Sequence, residues 1–136
     1  MKNCLQRTGD TLSGNEKIII MRHLEENLQI ECVRWYELKY PKFGKLLHAS
    51  PNGGKRDARE AARFKAMGTR PGFPDLILLF PASGYSYLAI EMKSEKGKQS
   101  EYQKQYQDLI ENTGAKYVIC RSFDEFQKEI KDYLKF

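Results

Sequence analysis

The chain predicts an α/β fold, a mixed β-sheet flanked by helices, and three observations carry that expectation. Segments with apolar residues every three or four positions alternate with short, apolar, β-prone runs. Two of those runs, 75–80 and 85–93, are joined by Pro81-Ala82-Ser83-Gly84, a hairpin-loop composition that makes them an antiparallel pair. A helical pattern then separates the second run from a last one at 116–121, and two strands joined through a helix pair in parallel. The expected order is α-β-α-β-β-α-β-α, with helices on both faces of the sheet.

Each element has its own signal. Residues 1–15 hold Gly9, Gly14, Ser13, Thr8 and Thr11 with few apolar positions and read as a flexible N-terminal arm, leaving 16–136 as a single domain. From Met21 the apolar residues Leu24, Leu28, Cys32, Trp35 and Tyr36 follow at helical steps, ending near Tyr40-Pro41. The run 18–20 fits either the first turn of this helix or a separate strand. A short apolar piece at 46–49 is closed by Ser50-Pro51-Asn52-Gly53-Gly54, which interrupts regular structure. A basic helix spans 57–67, with Ala58, Ala61, Ala62 and Met67 among its cations, and Gly68 stops it. Tyr102, Tyr106, Leu109 and Ile110 mark a helix over 100–113. Phe123, Phe126, Ile130 and Tyr133 mark the last one, over 122–133.

A chain of 136 residues makes one domain that buries about two thirds of its unfolded surface, so it folds without disulfide or metal staples. No apolar run approaches the roughly 18 residues of a membrane span, and Met1-Lys2-Asn3-Cys4 lacks the apolar stretch of a secretory signal, so the expected address is the cytoplasm. Cys4, Cys32 and Cys120 lie far apart and form no zinc-like pair, so they read as reduced thiols, the last two in the core.

The net charge of +5 is unevenly placed. Residues 39–70 carry nine basic and two acidic side chains, whereas 1–38 and 71–136 are each one charge negative. A concentrated positive stretch suits a polyanion, because each cation set against a phosphate releases condensed counterions. A solvated basic loop accounts for the charge alone equally well.

Three ionisable residues interrupt the apolar strands: Asp75, Glu91 and Lys93. Glu91 and Lys93 are two apart and leave the same face of a strand, with Met92 turned away. A tight hairpin sets the start of one strand beside the end of the next, which places Asp75 near both. Two carboxylates aimed at one point repel unless a divalent cation lies between them, and all-oxygen ligation suits magnesium or manganese. Such an ion would polarise a phosphodiester, activate water as the nucleophile and steady the leaving oxygen. The plainer account is a same-face ion pair between Glu91 and Lys93, with Asp75 capping a loop.

Gly72-Phe73-Pro74-Asp75, followed after fifteen residues by Glu91-Met92-Lys93, resembles the P-D…(D/E)-x-K motif of the restriction-endonuclease-like nucleases. The ordered series resembles more narrowly the VRR-NUC family, the virus-type replication-repair nucleases. That series is Glu25-x-x-Leu28-Gln29, Pro51-Asn52-Gly53-Gly54, Gly68 with the Pro71-to-Asp75 block, Ile90-to-Lys93, Gly97, and Ser100-x-x-Gln103, so the likeness covers about 23–134. It implies a restriction-endonuclease-like core in which Asp75 and Glu91, with the Met92 backbone carbonyl, hold Mg2+ or Mn2+ and Lys93 assists the nucleophile. Glu25 is the implied acid of the first helix and ligand of a second ion or its water, with neighbouring Glu26 as the alternative. Gln103 is implied beside the catalytic lysine, while Ser100-x-x-Gln103 also reads as a helix capping box.

Asn52, Gly53, Gly54, Lys55, Arg56, Arg59, Arg63, Lys65 and Arg70 are the expected DNA contacts, the glycines allowing close approach of backbone amides to phosphate. Without the resemblance, the preferred reading of 50–56 is a plain turn. The expectation is a metal-dependent endonuclease that hydrolyses DNA, structure-specific in the manner of a Holliday junction resolvase, working as a homodimer with no organic cofactor, in keeping with phage or prophage origin. The alternatives are a flap or single-strand nuclease with the same site, and a catalytically silent nucleic-acid-binding module.

Overall fold

The structure, a computed structural model, describes residues 12–51 and 57–135. Helix α1 (Gly14–Lys39) leads through a 3-10 turn (Pro41–Leu46) to strand β1 (Leu47–Ala49). Then come α2 (Ala58–Ala66), β2 (Leu76–Leu78), β3 (Leu88–Met92), α3 (Glu101–Asn112), β4 (Lys116–Cys120) and α4 (Phe123–Leu134). The strands form one mixed sheet in the order β1-β2-β3-β4, antiparallel for the first two pairs and parallel for β3 with β4. The element order, the antiparallel β2–β3 pair and the parallel β3–β4 pair are those the sequence predicts; the antiparallel seat of β1 on β2 is an addition of the structure.

One face of the sheet meets α1 and α4. Leu76, Leu78, Leu88, Ile90, Met92, Val118 and Cys120 pack there on Cys32 and Tyr36 from α1 and on Phe126, Ile130, Tyr133 and Leu134 from α4. The other face is smaller: Ala89 and Tyr117 pack on Ile110 of α3, with Tyr106 at the margin. Because side chains alternate along a strand, Glu91 leaves β3 on the α3 face while Ile90 and Met92 fill the larger core.

Some expectations need correction. The run 18–20 is helical, and α1 begins at Gly14, because Ser13 and Glu16 form a capping box: Ser13 Oγ accepts the Glu16 N–H and the Glu16 carboxylate accepts the Ser13 N–H. Leu24, expected on the core face, is 56% exposed, since α1 overhangs the sheet and its buried residues begin at Cys32. Tyr102 and Leu109 of α3 are exposed as well, leaving Ile110 as the buried residue of that helix. β2 and β3 are shorter than their apolar runs. The paired ladder ends at Leu78 opposite Leu88, and the connection makes its own tight turn through the Ala82–Tyr85 bridge, with Ser83 and Gly84 at φ 52° and 82°. Trp35 lies edge-on to Tyr40, Phe123 and Phe126 within the packing, and Tyr36 is fully buried.

Cys32 and Cys120 are buried and unpaired. No helix among the described residues is long and apolar enough to cross a membrane.

Candidate active site

The site lies where the β2–β3 pairing ends. The ladder closes at Leu76 opposite Ile90, and one more antiparallel bond would call on Pro74, which has no N–H. Asp75 takes over: its Oδ2 accepts the Met92 N–H at 2.7 Å. The N–H and C=O of one residue leave an extended strand on the same side, so the Met92 carbonyl also faces the Asp75 end of β2.

Glu91 stands next to this point and is only 1% exposed. Its Oε1 accepts from Gln103 Nε2 at 2.7 Å and lies 3.9 Å from Lys93 Nζ, and its Oε2 is 3.5 Å from the Tyr117 hydroxyl. The Asp75 carboxylate is within hydrogen-bonding reach of it. Burial pushes the Glu91 carboxyl up to about 9 from its ordinary 4.5, and the Asp75 charge and contact raise it further than the Lys93 ammonium lowers it. The protein groups alone therefore leave this carboxylate short of positive charge.

Gln103 closes the capping box and also reaches into the site, to Glu91 rather than to Lys93. Its amide oxygen accepts the Ser100 N–H at 2.8 Å and its backbone N–H donates to Ser100 Oγ, closing the capping box of α3, while its amide nitrogen reaches Glu91. The helix end is held close by Gly72, which has φ 79°; a Cβ there would sit 2.5 Å from the Tyr102 carbonyl carbon, so only glycine allows the approach.

Glu25 reaches across from α1, and its Oε1 accepts the Ser94 N–H at 3.1 Å. Glu26 instead faces His23 on the helix surface, 3.7 Å away, although it too borders the cleft. The cleft has a volume of about 460 Å³ and is open to solvent. Asp75, Glu91, Met92, Lys93, Glu25 and Gln103 all line it, so the six residues expected to carry the chemistry come to one place.

The expected DNA contacts do not gather there. Arg59, Arg63 and Lys65 lie exposed on α2, which buries none of its side chains, and Arg70 is exposed in the following loop. None of the four lines the cleft. Asn52, Gly53, Gly54, Lys55 and Arg56 lie outside the described residues. Their predecessors Ser50 and Pro51 do border the cleft, drawn in by the Ser50 N–H, which donates to the Asp75 carbonyl at 2.9 Å.

The cleft cation that sequence reasoning missed is Arg22, on α1 one turn before Glu25 and Glu26. A spacing of three and seven from Glu25 and Gln29 would have found it, once Glu25 was placed in the site. Tyr117 and Arg121 were also missed, because only the fold brings β4 to the end of β3.

The residues fit a divalent ion of the hard, oxygen-seeking kind. Among the described residues no three His, Cys, Asp or Glu side chains converge to cage an ion by themselves. Two convergent carboxylates and a main-chain carbonyl suit magnesium or manganese, which keep waters and share substrate oxygens.

A mixed sheet with helices on both faces, ending in an acid pair and a lysine at one strand end, defines a nuclease-type α/β domain. The VRR-NUC domain model matches residues 11–124, and the chain belongs to that family. A solved structure of a VRR_NUC domain protein is similar, with a TM-score of 0.72 and 28% identity, covering 82% of this chain and 88% of that one. No curated protein matches the chain.

Proposed function

We propose that this protein is a metal-dependent endonuclease that hydrolyses DNA phosphodiesters at branched sites. The observation that carries the reading is the meeting of Asp75 with fully buried Glu91 at an open strand end, an arrangement that is costly without a cation. Asp75, Glu91 and the Met92 carbonyl would hold Mg2+ or Mn2+. When bound, the ion would supply Lewis-acid stabilisation of charge on the phosphate oxygens.

The chain's own groups do the rest. Gln103 fixes the Glu91 carboxylate by its 2.7 Å bond, and Lys93, 9% exposed, is held to orient the attacking water or receive charge from the phosphate. Glu25, whose Oε1 accepts the Ser94 N–H, would order a second ion or its water. Arg22 receives the phosphate backbone where it enters the cleft, and the cations of α2 engage the duplex farther out. A homodimer gives a four-way junction two sites related by symmetry, and the exposed Ile18, Ile19, Ile20 and Leu24 offer apolar surface for a second copy. A cytoplasmic setting agrees with the two unpaired buried thiols.

The test is a panel of labelled DNAs, namely four-way junction, flap, single strand and linear duplex, incubated with manganese or magnesium, with sedimentation to read copy number. Wild type should cut the junction at least ~10-fold faster than the duplex, and Lys93→Ala should lower kcat by ~100-fold or more. Preference for the flap or the single strand selects the nuclease with another substrate geometry. Tight binding without cleavage selects the silent binding module. Equal cleavage by Lys93→Ala rejects the site.

A further inference from the structure

The turn that follows Lys93 is gripped from two sides. On one, the Ser94 N–H donates to Glu25. On the other, Arg121 Nη1 donates to three carbonyls of the same turn: Ser94 at 2.9 Å, Glu95 at 3.4 Å and Gly97 at 2.5 Å. Arg121 follows directly on Cys120, whose carbonyl accepts the Lys93 N–H at 3.0 Å, the last bond between the strand ends. The guanidinium thus folds back over the point where β3 becomes turn. The turn is also closed inside: a Cβ at Gly97 would lie 3.0 Å from both Glu25 Oε1 and Ser94 Oγ, and that hydroxyl is buried without a hydrogen-bond partner among the described residues. Arg121 is not among the residues that line the cleft.

We infer that Arg121 is a positioning residue, whose clamp on residues 94–97 fixes the backbone from which the Lys93 ammonium is aimed. The inference rests on the nuclease reading for its consequence in catalysis. A lysine side chain has four rotatable bonds, so its head is placed only as well as its backbone and its packing place it. Lys93 keeps a loose 3.9 Å contact to Glu91, too long to hold the ammonium on its own. Three carbonyls drawn onto one cationic nitrogen are worth more than neutral bonds would be, since charge-assisted bonds are roughly twice as strong. The sequence offers no sign of this, because an arginine just after a strand is ordinarily a solvated one.

Two variants, Arg121→Ala and Arg121→Lys, decide the matter together with Lys93→Ala. Arg121→Ala should speed amide hydrogen exchange at residues 93–97 by ~10-fold or more while the strands stay protected. Its kcat should fall ~10- to 100-fold with KM within about twofold, and manganese affinity measured by calorimetry should hold within about twofold. Arg121→Lys, which keeps the cation and three donors, should stay within ~5-fold of wild-type kcat. In the double variant with Lys93→Ala, the Arg121→Ala loss should vanish, because the group it aims is gone. Multiplying losses, or exchange that quickens across the whole sheet, would make Arg121 a staple of the fold and overturn the inference. So would unchanged exchange at 93–97. Wild type without Lys93-dependent cleavage would reject the nuclease reading instead, and the local exchange result still tells whether Arg121 holds the turn.

Discussion

At Glu91 the cost of function is visible in a single side chain. A carboxylate buried beside a second carboxylate favours its protonated form, so the folded chain keeps a proton that the unfolded chain releases above about 4.5. The sign follows: between about 4.5 and about 9 the native state binds more protons than the unfolded one, and metal-free stability falls as pH rises. The expected slope is up to ~1.4 kcal/mol per pH unit, read as a falling midpoint of denaturant unfolding between about pH 5 and about pH 8. Glu91→Gln should flatten that slope and raise stability at the alkaline end. A midpoint that rises with pH in the metal-free wild type would show that burial of Glu91 is compensated within the protein. Asp75, Glu91 and Lys93 were legible in the sequence because charges are expensive in apolar strands and stand out there. Arg22, Tyr117 and Arg121 were not, since a cation on a helix or after a strand, or a tyrosine within one, is ordinary until a neighbour is known.

Among the elements, α1 and α2 share out the positive charge differently from the sequence's suggestion. The basic stretch 39–70 pointed to the DNA contacts, yet α2 lies exposed and lines no part of the cleft, and the two cations that do line it, Arg22 and Lys93, come from the nearly neutral segments on either side. Linear charge density marks a field, and only the path of the chain marks where that field acts. On the proposed reading, the exposed α2 cations would contribute to affinity rather than to chemistry. Replacing Arg59, Arg63 and Lys65 by glutamine should reduce the salt slope of DNA binding by ~2 to 3 and leave kcat at saturating DNA within about twofold. Binding with the same slope as wild type would remove α2 from the interface. Strand identity and direction were readable from the hairpin and the crossover helix. Strand length was not, because the ladder ends at Leu78 while the apolar pattern runs on to Phe80. The inward edge of α1 was half readable: its periodicity is continuous through Leu24, but the sheet it packs on stops short of that turn.

Across the whole molecule, the site is assembled from distant pieces of chain: Glu25 from α1, Asp75 from just before β2, Glu91 from β3, Lys93 from just past its end, and Gln103 from α3. The sheet brings the acids together, Gly72 lets the α3 end close over them, and the larger core on the α1 and α4 face supplies the stability they draw on. Because the acids meet only in the folded chain, an ion that binds them binds the native state and stabilises it by mass action. That linkage makes the central claim, a divalent-ion site formed by Asp75 and Glu91, open to a direct reading without any substrate. Isothermal titration of manganese into the intact protein should show saturable binding that tightens as pH rises, with Asp75→Ala and Glu91→Ala each weakening it at least ~10-fold. Wild type that takes up no manganese, or variants that bind it as tightly as wild type, would contradict the claim.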